Sequence, residues 1–152
     1  MTRVYRFEDG GAEILDSIRP LWEELNRHHA SVSTYFSEIF RNGSFERRKA
    51  DFVCKAERGM VRVDVCLDGD GLAVGFCAGT IMDHVGEIES LYVSPAHRGK
   101  KLGEELLKRL MDWFSGNGAA SVEVRVAVGN ESTHALYRKF GFYPRQTVLT
   151  KR

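Results

Sequence analysis

The chain has 152 residues and a formal net charge of +1, from 22 Lys and Arg against 21 Asp and Glu. That length suits one domain with a core of ordinary size, and the balanced charge disfavours nucleic acid or an anionic membrane as a partner. The hydrophobic fraction of 43% and charged fraction of 28% are typical of a folded globular protein. We therefore expect a single domain over residues 1–152.

Neither a membrane span nor an export signal nor a metal site is visible in the sequence. The most apolar stretch, residues 72–82, is interrupted by glycines and is shorter than the ~20 residues that span a bilayer, and charged residues closely follow the first methionine. The spacing of Cys54, Cys66 and Cys77 fits neither a disulfide framework nor a zinc site. We expect a cytoplasmic protein without a metal, in which all three cysteines are buried.

The first part of the chain predicts a strand followed by helices. Residues 2–7 alternate weakly and favour an opening strand. Apolar residues then recur at helical spacing from Ile14 to Leu25, and Pro20 either kinks this helix or lies in its first turn. A short helix with an apolar face is predicted between residues 31 and 44.

A third helix is predicted from Phe45 up to Gly59. Its apolar positions, which include Phe52, follow one helical face. Its basic residues are assigned to solvent: Arg47, Arg48 and Lys49.

From Met60 the hydrophobic period changes to two, which predicts a strand, a hairpin turn over residues 68–71 and a second strand over residues 72–82. Gly86 begins another alternating segment. Strict alternation places Glu87, Glu89, Leu91 and Val93 on one face and Ile88, Ser90 and Tyr92 on the other.

The last part of the chain predicts helices alternating with strands. An amphipathic helix runs from Leu102 to the glycines at 116 and 118, a strand follows around Val124, and a further helix ends at Gly141. Residues 145–150 favour one last strand. The order of elements predicts an α/β (α+β) fold with a mixed, mostly antiparallel sheet flanked by helices.

A basic, glycine-containing turn lies between the strand that ends at Val93 and the amphipathic helix. A helix N-terminus presents unpaired N–H groups and a partial positive charge, and glycines allow a ligand to approach the backbone. The turn therefore suits a pyrophosphate, although an ordinary solvated turn explains these residues equally well: Arg98, Gly99, Lys100, Lys101, Leu102 and Gly103.

Residues 89–107 and 130–142 resemble the two signature segments of the GNAT superfamily of N-acetyltransferases. The family's pyrophosphate turn, Arg/Gln-x-x-Gly-x-Gly/Ala, falls on residues 98–103, and its second segment matches Asn130, Leu136, Tyr137, Gly141 and Phe142. Lys101 replaces the usual middle glycine, and Thr133 replaces an alanine. Because positive φ is costly for lysine, we expect the turn to take a slightly different route or to use the added charge.

The resemblance implies a GNAT-like fold and acetyl transfer from acetyl-CoA, without a metal, to a primary amine that attacks directly in a ternary complex. The strand that ends at Val93 is expected to part from its neighbour, so that its backbone binds the pantetheine arm and polarises the thioester carbonyl. The implied cofactor-binding residues are Leu91, Tyr92, Val93, Arg98, Gly99, Lys100, Lys101, Leu102, Gly103, Asn130 and Tyr137.

The implied acid and base are a phenol and a carboxylate. An alkylammonium of pKa near 10.4 is neutral in about one molecule in 2,500 at pH 7, so a proton acceptor is needed. Glu89 is the first candidate for this base, and Glu87 or water is the alternative. Tyr137 is the candidate acid for the leaving thiolate.

The acceptor is expected to be a small-molecule amine or a protein amino group. In the fold that the resemblance implies, the first helices roof the acceptor side, where the candidate wall residues are Trp22, His28, His29, Tyr35 and Phe36. Adjacent histidines on a helix are expected to point apart. A homodimer through the last strand is a further expectation. The alternative function is a non-catalytic acyl-CoA-binding module of the same fold.

Overall fold

A computed structural model describes residues 4–152 of the chain. One sheet has the strand order β1-β2-β3-β4-β5, in which the first four strands are antiparallel and β5 is parallel to β4. The strands are β1 (Arg6–Gly10), β2 (Met60–Leu67), β3 (Ala73–Met82), β4 (Val85–Val93) and β5 (Ser121–Val124). The helices are α1 (Arg19–Val32), α2 (Ser37–Arg41), α3 (Phe45–Arg58), α4 (Leu102–Gly116) and α5 (His134–Lys139). The predicted fold class is confirmed.

The sheet separates two apolar clusters. One face packs under α1 and α3, with Phe52 and Phe76 at its centre, and the other packs under α4, with Leu106 and Phe114 at its centre. Alternation along a strand sends neighbouring side chains to opposite faces, and Val65 and Cys66 of β2 accordingly join different clusters. Helices α1 and α3 therefore bury one face of the sheet, and α4 buries the other.

The start of α1 resolves the alternatives for Pro20. A 3-10 segment over Ala12–Ile18 precedes the helix, and Pro20 lies in the first turn of α1, where its missing N–H costs nothing. The helix is therefore not kinked by the proline.

Three local predictions differ from the structure. The opening strand is β1, shifted from residues 2–7, and the first two of those residues lie outside the described chain. Cys54 is exposed, whereas Cys66 and Cys77 are buried, because Cys54 lies on the face of α3 that points away from its buried residue Phe52.

Residues 145–150 were expected to form a strand, and the structure shows no regular secondary structure there. A strand needs a partner for its backbone groups, and β5, at the edge of the sheet, has only four residues. Val148 and Leu149 are 72% and 93% exposed. Alternation along these residues is therefore not sufficient to add a strand to the sheet.

Among helices within residues 4–152, none combines the length and apolar character needed to cross a membrane. The same part of the chain contains no cluster of three or more His, Cys, Asp or Glu side chains that could hold a metal ion.

Candidate active site

The pairing of β3 with β4 is interrupted at Glu89. Ala78 pairs with Ser90, whereas the next residue of β3, Gly79, pairs with Ile88. Glu89 is therefore the extra residue of a β-bulge, which bends a strand and increases its twist.

This bulge makes the predicted alternation along β4 wrong. Leu91 and Val93 pack with Ile88 in the cluster under α4, while Tyr92 joins the opposite cluster. Glu89 contacts side chains of α3, so it does not share a face with Leu91. The bulge reverses the phase of the strand, and this separates the carboxylates from the apolar residues that follow them.

β4 parts from β5 where the bulge begins. The parallel pairing runs from Val85 with Ser121 to Ile88 with Val124, and residues 89–93 continue without a partner on that edge. The predicted parting of the two strands is confirmed. The carbonyls of Glu89 and Val93 accept from arginine side chains, and the other backbone groups of this segment that face the open edge are available to a ligand.

A cavity of about 390 Å³ lies at this open edge. It is lined by nearly all of the predicted cofactor-binding residues: Leu91, Tyr92, Val93, Arg98, Gly99, Lys101, Leu102, Gly103, Asn130 and Tyr137. Leu136, a member of the second family segment, adds apolar wall from α5, and Leu25, which no sequence motif indicated, adds apolar wall from α1. Lys100 and both candidate bases, Glu87 and Glu89, do not line the cavity.

The turn before α4 keeps a left-handed conformation despite its lysine. Lys101 has φ +62° and ψ +22° at the N-cap of α4, and Gly99 has φ +77°. The left-handed region costs an L-residue about 1–2 kcal/mol, so Lys101 carries strain that glycine would not. Lys101 therefore adopts the positive φ that is costly for it, and both a changed route to the phosphates and a use of the added charge stay predictions.

The first turn of α4 leaves room for a ligand at the mouth of the cavity. A Cβ placed on Gly103 would lie 3.6 Å from Leu136 and 4.0 Å from Val93, which are ordinary contacts. Arg98 closes the end of β4, since its Nε donates to the Val93 carbonyl at 2.9 Å. The unpaired N–H groups of α4 therefore face the cavity together with cationic side chains.

Tyr137 presents a protonated phenol to the cavity. Its ring packs edge-on against Phe142 with 6.0 Å between centroids, and burial, aided by the nearby Cys77, raises its pKa. Within residues 4–152 its hydroxyl makes no hydrogen bond to another protein group. It can therefore donate to a ligand at neutral pH. Tyr137 also lines a groove of about 670 Å³ between β5 and the C-terminal segment.

Asn130 joins the cavity to α1 through two histidines. Its Oδ1 lies 3.2 Å from His28 Nε2, and its Nδ2 lies 3.4 Å from His29 Nε2. The expectation that the two rings point apart is wrong, because α1 ends against the loop that carries Asn130. A Cβ on Gly129 would lie 1.8 Å from the Val32 carbonyl oxygen, so the two backbones are in direct contact.

The candidate wall residues are not all brought together. His28 lines the cavity and His29 packs on Phe40 with 5.1 Å between ring centroids. Trp22 packs on Phe45 in the core, and Tyr35 is 59% exposed.

The Glu89 carboxylate is held by three donors. Lys55 Nζ lies 2.7 Å from Oε2, Thr80 Oγ1 lies 2.8 Å from Oε2, and Arg48 Nη2 lies 3.0 Å from Oε1. The side chain is 5% exposed. Burial alone would raise the pKa of Glu89, but the hydrogen bond from Lys55 and the charge of Arg48 lower it overall.

Glu87 lies before the bulge and differs from Glu89 in its surroundings. Its Oε1 accepts from Arg125 at 2.8 Å, and Arg125 is largely exposed. Burial, followed by the charge of Glu89, raises the pKa of the Glu87 carboxyl. The pKa of Glu87 is therefore raised and the pKa of Glu89 is lowered, so Glu87 is the more basic of the two carboxylates.

The sequence analysis assigned Arg48 to solvent and did not consider Lys55. Both face Glu89 instead, which corrects the assignment of Arg48. The two residues are seven positions apart and lie on one side of α3, as Phe45 and Phe52 do. This seven-residue spacing was the signal in the sequence that could have predicted that Arg48 and Lys55 face the sheet.

Residues 17–142 match the Acetyltransferase (GNAT) family. The chain belongs to this family. Curated relatives include the N-alpha-acetyltransferase RimI of Mycobacterium tuberculosis, 39% identical over 56 residues (37% of this chain and 34% of that protein), and the uncharacterized N-acetyltransferase YobR of Bacillus subtilis, 32% identical over 65 residues (43% and 26%). The chain spans about half or less of the length of the curated relatives it matches.

Solved structures share the fold of this family member at low sequence identity. The aminoglycoside N-acetyltransferase AAC(6')-Iy in complex with CoA superposes with a TM-score of 0.73 at 16% identity, covering 100% of this chain and 96% of that chain. The PaiA N-acetyltransferase of Thermoplasma acidophilum, also with coenzyme A, gives a TM-score of 0.74 at 20% identity over 95% and 93%. A ribosomal-protein-alanine N-acetyltransferase of Brucella melitensis gives 0.68 at 14% identity over 98% and 99%.

Proposed function

We propose that this protein transfers the acetyl group of acetyl-CoA to a primary amine, which attacks the thioester directly in a ternary complex. The observation that carries the proposal is the parting of β4 from β5 beside the N-terminus of α4, within one cavity. Backbone N–H groups of residues 91–93 and an anion site at residues 98–103 match the two ends of a CoA pantetheine-pyrophosphate arm. Family membership and the CoA complexes of structural neighbours support it.

Tyr137 is the proposed acid for the leaving thiolate. The attacking nitrogen forms a bond to the acetyl carbon, the carbon–sulfur bond breaks, and the thiolate takes a proton from the phenol. Burial raises the pKa of Tyr137, so the phenol stays protonated at neutral pH but is a weaker acid than a free phenol, and its proton moves only as negative charge develops on the sulfur. Its place in the cavity beside Val93 and Leu136 supports this role.

Glu87 is the first candidate for the base and Glu89 the second, because the Glu87 side chain is 17% exposed and that of Glu89 is 5% exposed; neither carboxylate lines the cavity itself. A base that works at neutral pH benefits from a pKa raised toward that pH, which is the direction for Glu87. Glu89 has the opposite shift, and three donors hold its carboxylate. The proton passes from the ammonium to the carboxylate directly or through one water molecule.

The acceptor is proposed to be a cationic amine, either a small molecule or a protein amino group. Glu87 would favour a positively charged substrate before deprotonation. Relatives and structural neighbours are named as an N-alpha-acetyltransferase, a ribosomal-protein-alanine N-acetyltransferase and an aminoglycoside N-acetyltransferase, and these names support both acceptor classes.

Acetyl-CoA binding is tested by calorimetric titration of the parent chain and two variants. Gly103→Glu adds a carboxylate at the mouth of the cavity and is expected to weaken binding at least tenfold, because it fills space and repels the phosphates. Gly103→Ala is the matched control, since its Cβ makes only ordinary contacts. Unchanged affinity in Gly103→Glu would overturn the cofactor assignment.

The alternative is an acyl-CoA-binding module without turnover. Free thiol is measured after the protein is mixed with acetyl-CoA and a panel of polyamines, aminoglycosides and peptides with free N-termini. Amine-dependent thiol release supports the enzyme, whereas binding without release by any amine supports the module.

A homodimer is also proposed, now through the outer edge of β5, since the predicted last strand is not formed. An edge strand offers unpaired backbone groups to a second copy. Val148 lines the groove along β5, and both Val148 and the next residue, Leu149, expose apolar surface. Analytical ultracentrifugation should show a dimer that dissociates in Val148→Asp/Leu149→Asp. A monomeric parent at all concentrations contradicts this proposal.

A further inference from the structure

The bulge in β4 is contacted by an arginine from another element. Arg48 Nη2, on α3, donates to the backbone carbonyl of Glu89 at 3.2 Å and to the carboxylate of the same residue at 3.0 Å. Arg48 and Glu89 are separated by 41 residues in sequence. A single guanidinium therefore binds the main chain and the side chain of the bulged residue.

A bulged residue is left out of the regular hydrogen bonds between the two paired strands. A buried carbonyl that lacks a partner is destabilising, and the guanidinium supplies that partner here. Lys55 and Thr80 satisfy the other carboxylate oxygen of Glu89. Arg48 thus supplies a hydrogen bond to the main chain of the bulged residue, and contacts from α3 and β3 hold its side chain.

Arg48 is itself fixed in position. Its guanidinium lies 4.5 Å from the centre of the Phe52 ring, and its Nη1 donates to Asp51 at 3.0 Å. Phe52 is 1% exposed and belongs to the core. The arginine therefore connects the bulge to a rigid part of the molecule.

We propose that Arg48 is a positioning residue for acetyl transfer, which holds the bulge at Glu89 and so fixes the unpaired backbone of residues 91–93 against the thioester. The inference rests on the proposed function. The packing of Leu91 and Val93 under α4 sets the register of this segment, and Arg48 restrains its motion within that register. Glu89 then acts as the anchor of the bulge, and Glu87 is the carboxylate left to accept a proton.

The first experiment separates turnover from cofactor binding in Arg48→Met, which keeps the length of the side chain and removes its donors. Because misplacement of a reacting group by about 1 Å can cost 10²-fold in rate, we expect kcat to fall at least about tenfold, with KM for acetyl-CoA within about threefold. Arg47→Met, which removes the same charge from an exposed position of α3, should match the parent. Arg48→Lys keeps the charge without the planar fork and should recover part of kcat.

The second experiment measures amide hydrogen exchange in peptides covering residues 87–94, with the protein free of CoA. Exchange should rise at least severalfold in Arg48→Met and less in Arg48→Lys, while peptides from β3 remain at the parent rate. Exchange in residues 87–94 within twofold of the parent overturns the proposal, as does an equal rise in Arg47→Met. If Arg48→Met does not fold, the same comparison is made with Arg48→Lys alone, and unchanged exchange again overturns it.

The two experiments also distinguish this proposal from the proposed function. A parent protein that acetylates no amine refutes the function, while the exchange data still decide whether Arg48 restrains the bulge. A normal kcat in Arg48→Met with raised exchange shows that the restraint exists but does not position the reaction, and this outcome overturns the proposal.

Discussion

The two halves of β4 are held by different means. Residues 85–88 lie between β3 and β5 and bond to both, whereas residues 90–93 pair with β3 alone and the bulged Glu89 pairs with neither. The first half is secured by its own backbone. The second half is secured by side chains of other elements, among them Arg48 and Lys55. Backbone groups that must bind a ligand cannot also be used by the sheet, so their rigidity has to come from elsewhere.

Each half of β4 carries one candidate base, Glu87 in the first half and Glu89 in the second. Glu87→Gln is expected to lower kcat/KM by about 10²–10⁴-fold near neutral pH, and the loss should shrink as pH approaches ~10.4, where the amine becomes neutral by itself. In the parent, activity falls as pH drops through the pKa of Glu87, which burial raises above the ordinary value. Rate profiles that run from pH 4.5, the ordinary pKa of a glutamate, up to ~10.4 check both effects.

Glu89→Gln is the matched variant for that measurement. Because the Glu89 side chain is proposed to anchor the bulge, the variant should lose rate by a similar factor at every pH. A loss in Glu89→Gln that disappears at high pH, together with a parent-like Glu87→Gln, would assign the base to Glu89 instead.

The paired half depends on Phe114, whose ring lies against two glycines of the sheet. A Cβ on Gly86 would be 2.8 Å from this ring and one on Gly79 would be 3.0 Å from it. Phe114→Ala should reduce the free energy of unfolding by about 3–5 kcal/mol. Urea denaturation measures this, with the exposed Tyr143→Ala as control, and a loss below ~1 kcal/mol contradicts the packing described.

Tyr137 lines the same cavity as the parted half of β4. A variant of Tyr137 tests whether its side chain acts in the chemistry or only in packing. Tyr137→Phe removes the proton donor and keeps the ring, so kcat should fall roughly ten- to a thousandfold while affinity for acetyl-CoA stays within severalfold. Single-turnover rates and calorimetry provide the two values. Unchanged turnover, where chemistry limits the rate, makes Tyr137 a packing residue only.

The turn that follows the parted half should show the smallest effect. Lys101→Gly relieves a left-handed lysine, worth about 1–2 kcal/mol, but adds freedom to the unfolded chain, worth up to ~1 kcal/mol. A net stabilisation of about 0.5 kcal/mol is expected in thermal unfolding, with weaker acetyl-CoA binding at low salt. Lys100→Gly, whose lysine has no positive φ, should be destabilised instead. Equal changes in both variants contradict the strain at Lys101.

Much of the cavity lining was predictable because its residues are contiguous in sequence. The segment 98–103 and the run that contains Asn130 and Tyr137 each form a local motif, and both line the cavity. The bulge was not predictable, because residues on either side of Glu89 alternate in a way that also fits one regular strand. Its position depends on α4 and α3 packing on opposite faces of the sheet, which is a tertiary constraint.

The contact between Gly129 and Val32 has a consequence for how substrate preference can change. Since a Cβ at Gly129 would lie 1.8 Å from the Val32 carbonyl oxygen, the end of α1 is fixed against the loop beside the cavity. The segment from residue 34 to residue 43 begins just beyond this fixed point and contains no fully buried residue. None of these ten positions lines the cavity. If the first helices roof the acceptor side, as the sequence analysis expects, mutations there would change the surface offered to the acceptor and leave the residues that line the cavity in place. Under the proposed function, a directed-evolution library confined to those ten positions is the economical way to select for new amines.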